Sequence, residues 1–146
     1  MHRISIILCL ILCVSCNYSE EKEVIAKDTE EFVFDLYVPS EMSLLMNSMY
    51  DVNEKIKNEI VSGNVLEEFP DDFERIFTAE LSEGKYRNET FEAYSKVLID
   101  NQKLIFDGAV HLPLEQRYNN AIKTCISCHT TECVGPIPRI EKLLIK

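Results

Sequence analysis

Residues 114–133 read LEQRYNNAIKTCISCHTTEC. Pro113 stands directly before this stretch and Glu115 falls in its first turn, both of which suit a helix start. Gly135-Pro136 closes it. On a helix, positions i, i+3 and i+4 share one face. Cys125, Cys128 and His129 have that spacing, so both thiols and the imidazole point at one flat object. C-x-x-C-H is the attachment signature of a c-type haem. Each thiol adds across a vinyl group to form a thioether, and the adjoining histidine becomes the proximal iron ligand. The spacing therefore predicts one covalently attached haem c, held by Cys125, Cys128 and His129.

Three other readings compete for these residues. Zinc held by Cys125, Cys128, His129 and Cys133 is one. Closed zinc sites usually draw ligand pairs from separated segments around a turn, which a single helix does not wrap. A thioredoxin-like redox pair needs a β-α-β context, of which the sequence gives no sign. The third reading is three ordinary buried cysteines.

Working back from the motif, the chain reads as helices joined by short loops. Ser40 is an N-cap with Glu41 in the first turn behind it. Met42, Leu45, Met46, Met49, Asn53, Ile56 and Ile60 then recur at steps of three and four, one apolar stripe broken once by a polar residue. Gly63 is a C-terminal stop. A second helix is expected from Pro70-Asp71 to Gly84, with Phe73, Ile76, Phe77 and Leu81 inward. A third follows Asn88 and runs to Gly108, marked by Phe91, Tyr94, Leu98 and Ile105. With the motif helix this makes four, and the expectation is an all-α fold, an antiparallel four-helix bundle. The tail, "PIPRIEKLLIK", is expected to pack back through Ile140, Leu143 and Leu144.

The N-terminus reads as targeting. Arg3 precedes an apolar run from Ile4 to Val14, too short to span a bilayer but suited to a signal-peptide core. Val14-Ser15-Cys16 followed by polar "NYSEEKE" resembles a bacterial lipoprotein signal, in which the cysteine is lipidated and becomes the new start. The position three before it is Cys13, where Leu is usual, and an ordinary secretory signal cut nearby is the alternative. The expected organisation is a signal over 1–15, a lipidated tether and extended lead-in over 16–38, and a helical haem domain over 39–146. "EFVFDLYVP" (31–39) alternates as an extended segment. Of six cysteines, Cys9 and Cys13 leave with the signal and Cys16 takes lipid. The three that remain are clustered and form no disulfide framework. The net charge of −10 argues against nucleic acid and permits a basic protein partner.

A C-x-x-C-H on the last helix of a four-helix bundle resembles the cytochrome c-prime family, the class II c-type cytochromes. The likeness covers about residues 39–133 and rests on helix order and the motif. The tail departs from the family, whose chains usually end soon after the motif. The resemblance implies two alternatives for the sixth iron position. A methionine from the first helix fills it in the low-spin electron carriers. In the five-coordinate members it stays open and takes NO or CO. Met42, Met46 and Met49 lie on one face of the first helix. Met46, central in the stripe, is the expected distal ligand and Met49 the second choice. Methionine as bundle-core filler is the bland reading. Family members often pair as homodimers through their first two helices, but the sequence shows no exposed apolar stripe that establishes this here.

The remaining candidates read more plainly. His111 is a solvated loop residue, and Cys133 a small buried residue rather than a reactive thiol. Arg117 and Arg139 are weighed as partners of a haem propionate and as ordinary surface charges. Nothing else looks catalytic. The expectation is a monohaem cytochrome c carrying single electrons at the bacterial periplasm or outer-membrane surface, anchored to the membrane by lipid on Cys16. Its partner is a redox protein. A gas-binding haem protein is the alternative, and an anchored helical module without redox duty is a third.

Overall fold

A computed structural model describes residues 38–64, 66 and 68–146. The signal, Cys16, the tether and nearly all of the 31–39 segment lie outside them. The described residues are all-α. Three long helices dominate: α1 (Glu41–Ser62), α2 (Glu89–Phe106) and α3 (Leu114–Glu132). A short helix, α4 (Ile137–Ile140), runs into a 3-10 turn, Glu141–Leu143. No helix among the described residues is long and apolar enough to cross a membrane.

Local chemistry sets the ends of these helices. Ser40 caps α1 by accepting from the Ser43 N–H at 3.2 Å, and Gly63 ends it in the left-handed region at φ 72°, where a Cβ is disfavoured. Asn88 caps α2, its Oδ1 accepting from the Phe91 N–H at 2.7 Å. Arg117 closes the other end of α2. Its Nη1 donates to the carbonyls of Leu104, Ile105 and Asp107 at 2.7, 3.1 and 2.7 Å, groups a helix terminus leaves without partners.

The expected second helix is corrected. Asp71–Phe77 forms a 3-10 helix. With three residues per turn, positions i, i+3 and i+6 line up. Phe73 and Ile76 are accordingly its buried residues, while Phe77 is 44% exposed rather than inward. Three long α-helices and this turn, not four long helices, enclose the core.

The apolar residues form two clusters. One joins Met42, Leu45 and Met49 of α1 to Phe73, Ile76, Phe91, Leu98 and Ile99. The other joins Ile56 and Ile60 to Ile105, Tyr118, Ala121 and Ile122, with Ile140 and Leu143 of the tail. Cys125 packs against both. Between the clusters runs a buried polar link. Gln102 Nε2 donates to Asn53 Oδ1 at 3.0 Å, Asn53 Nδ2 to the Met49 carbonyl at 2.8 Å, and Tyr118 Oη to the Asn53 carbonyl at 3.0 Å. Asn53, the polar break in the α1 stripe, thus pins α1, α2 and α3 in one register. α2 and α3 pack along their length, while α1 meets α3 at few points. The gap that this leaves is the site.

Candidate cofactor site

α3 carries the motif because its buried side, Tyr118, Ala121 and Ile122, continues at the next turn into Cys125. The same periodicity that buries the core turns Cys125, Cys128 and His129 toward the gap. All three line a cavity of about 210 Å³. α1 supplies Met46 and Met49 to the same cavity, with Asn47, Tyr50 and Asn53. Ile76, Phe91 and Leu98 make an apolar wall, and Ile140 and Leu143 of the tail make another. Met42 is buried in the core and does not line the cavity. This volume is below the roughly 300–1,000 Å³ of common ligand sites.

The imidazole of His129 is fixed from behind. Its Nδ1 lies 2.9 Å from the Cys133 carbonyl. A carbonyl only accepts, so Nδ1 carries the proton and donates, which leaves the lone pair on Nε2. A second bond of this kind orients histidine ligands of metals and makes them more basic. The helix end that supplies this carbonyl is itself held. Lys85 Nζ donates to the Glu132 carbonyl at 3.1 Å, and Asn88 Nδ2 to the Glu132 carboxylate at 3.3 Å.

Burial raises the Cys125 thiol to about 12, with the neighbouring Cys128 adding to it, and burial beside Glu132 raises the Cys128 thiol to about 11. Both are neutral thiols at neutral pH. Neutral thiols are poor nucleophiles, which does not suit a redox dithiol. Cys133 is exposed, not buried as its sequence context suggests, because the chain turns extended there (φ −163°) at the end of α3. Among the described residues no three His, Cys, Asp or Glu side chains converge as metal ligands, so the four zinc candidates do not form one site. His111 is exposed in the loop between α2 and α3.

The residues suit a covalent haem. Two thiols and an imidazole share a helix face, methionine sulfurs and apolar walls complete the cavity, and one buried polar atom there lacks a partner. Ser95 Oγ is 1% exposed as a residue, lines the cavity and has no hydrogen-bond partner among the described residues. Ser95 was not evident as a site residue, although it falls on the buried 91–95–98–102–105 spacing of α2. An unmatched buried hydroxyl costs about 1–3 kcal/mol. Ser95→Ala is therefore expected to stabilise the haem-free protein by about 1 kcal/mol. Thermal unfolding of the haem-free form measures this, and a lowered midpoint would contradict it.

Comparison of the chain with protein-family models, curated proteins and solved structures finds no match.

Proposed function

We infer that the chain is a monohaem c-type cytochrome built on three long helices and a 3-10 helix, carrying single electrons in the bacterial cell envelope. The observation that carries this reading is the meeting of Cys125, Cys128 and His129 with Met46 and Met49 around one cavity. When bound, haem supplies the one-electron chemistry of its iron, ferrous to ferric and back. Cys125 and Cys128 tether the ring through thioethers. His129 offers Nε2, with its tautomer set by the Cys133 carbonyl. Met46 would supply the sixth ligand, and a Met/His pair would raise the reduction potential. Ile76, Phe91 and Leu98 exclude water from the buried edge. The acidic surface steers a basic redox partner, and lipid on Cys16 holds the domain at the periplasmic or outer-membrane surface.

One observation favours the second reading, a five-coordinate site that takes NO or CO as in the cytochrome c-prime family. Met49 belongs to the apolar core and Met46 packs against it, as core fillers do. The optical spectrum of the purified protein, ferric and ferrous, with and without CO, separates the two. A low-spin spectrum indifferent to CO supports the electron carrier. A high-spin ferrous spectrum that shifts with CO supports the gas binder.

A further inference from the structure

The cavity has an uneven charge balance. Among the described residues Arg139 is the only Lys or Arg that lines it, and no Asp or Glu does, in a chain with 25 acidic residues against 15 basic. The Arg139 side chain is 47% exposed, which places it at the solvent edge. Its guanidinium lies 3.8 Å from the Tyr50 ring centroid, a stacking contact that fixes its plane. Nη1 donates to Asn47 Oδ1 at 2.7 Å, and Nη2 reaches Asp51 Oδ1 at 3.4 Å. Asp51 is 65% exposed, so that pair is screened by solvent and weak. Arginine has five N–H donors, and these two contacts leave the fork with capacity to spare. Arg117, the other cation weighed against a carboxylate, is committed to the α2 terminus.

We propose that Arg139 anchors the carboxylate edge of the ligand in this cleft, which on the haem reading above is a propionate. Arg139 lines the same cavity as Cys125 and Cys128 and reaches solvent, so the carboxylate edge of a ring tethered there would meet it. A carboxylate there needs water or a cation, and the planar guanidinium matches it with two parallel hydrogen bonds. The tail is thus a working wall of the site. It is also tied down without Arg139. Lys57 Nζ donates to the carbonyls of Lys142 and Leu144 at 2.8 and 3.1 Å. Asn119 Nδ2 donates to the Ile145 carbonyl, and the Ile145 N–H to Asn119 Oδ1, both at 2.9 Å. Removing the guanidinium therefore leaves the tail in place.

The test compares wild type, Arg139→Gln and Arg139→Lys as full haem-free chains, titrated with haemin and with its dimethyl ester and followed by absorbance. Loss of a charge-assisted pair weakens haemin binding about tenfold in Arg139→Gln, with part of the loss recovered in Arg139→Lys. The ester, which has no carboxylate, binds wild type and Arg139→Gln alike. In the haem-loaded protein the same substitution lowers the midpoint potential and makes it depend on pH near neutrality, because the propionate loses its counter-charge. Haemin binding unchanged in Arg139→Gln overturns the assignment. So does an equal loss for ester and acid, which makes Arg139 a mere tail contact. An exported wild-type chain that carries no covalent haem overturns the haem reading itself, whereas wild type that binds haemin beside an unaltered Arg139→Gln overturns only the role of Arg139.

Discussion

Tyr118→Ala is expected to lower the unfolding free energy by about 3–5 kcal/mol, the usual range for deleting a buried aromatic ring. Tyr118 is fully buried in the cluster that joins α1, α3 and the tail. Its removal leaves a void lined by Ile56, Ile105 and Ile122, which sit on three separate helices and have little room to collapse together. Its hydroxyl also donates to the Asn53 carbonyl at 3.0 Å. Burial drives the phenol well above its ordinary range, so it remains a donor at any pH the fold meets. Tyr118→Phe keeps the ring and removes only this bond, with an expected cost of about 1 kcal/mol. Urea unfolding of the two variants separates ring from hydroxyl. An alanine variant that loses less than about 1 kcal/mol would show that this cluster is not the core.

Met46→Leu is expected to convert a low-spin site that ignores CO into a high-spin one that binds it. Leucine has nearly the volume of methionine and fills the same half-buried position. The fold therefore survives the change at a cost below about 1.5 kcal/mol, while the sulfur is gone. Met49 is buried in the first cluster and also lines the cavity. Met49→Leu is therefore the control, and it retains the low-spin spectrum. If Met49→Leu alone opens the site, the ligand is Met49. If neither substitution alters the spin state, neither Met46 nor Met49 alone is the ligand.

The first helix was legible because its cap, stripe and glycine stop are all local: Ser40, six apolar positions and Gly63 fall within one stretch. The motif helix was legible for the same reason, and chain periodicity alone placed Cys125, Cys128 and His129 on one face. The second helix was not. Phe73, Ile76 and Phe77 satisfy an α-helical spacing as well as Phe73 and Ile76 satisfy a 3-10 one, and only packing against α1 and α2 chooses between them. The site's outer wall was equally hidden. Arg139 meets Asn47 and Tyr50 across most of the chain, and no local pattern in "GPIPRI" announces such a contact. Cys133 misled because its neighbours read as a continuing helix. The chain instead ends α3 there, exposes the thiol and gives its carbonyl to His129.

The most direct test of a haem c protein is the intact mass of the exported chain under denaturing conditions, read together with the absorbance of the same sample. The expected result is a polypeptide heavier by one haem, with colour that stays on the chain through acid–acetone extraction and is lost in Cys125→Ser/Cys128→Ser. A mass equal to the polypeptide alone, or haem that extracts freely, would contradict covalent attachment and with it the electron-carrier reading.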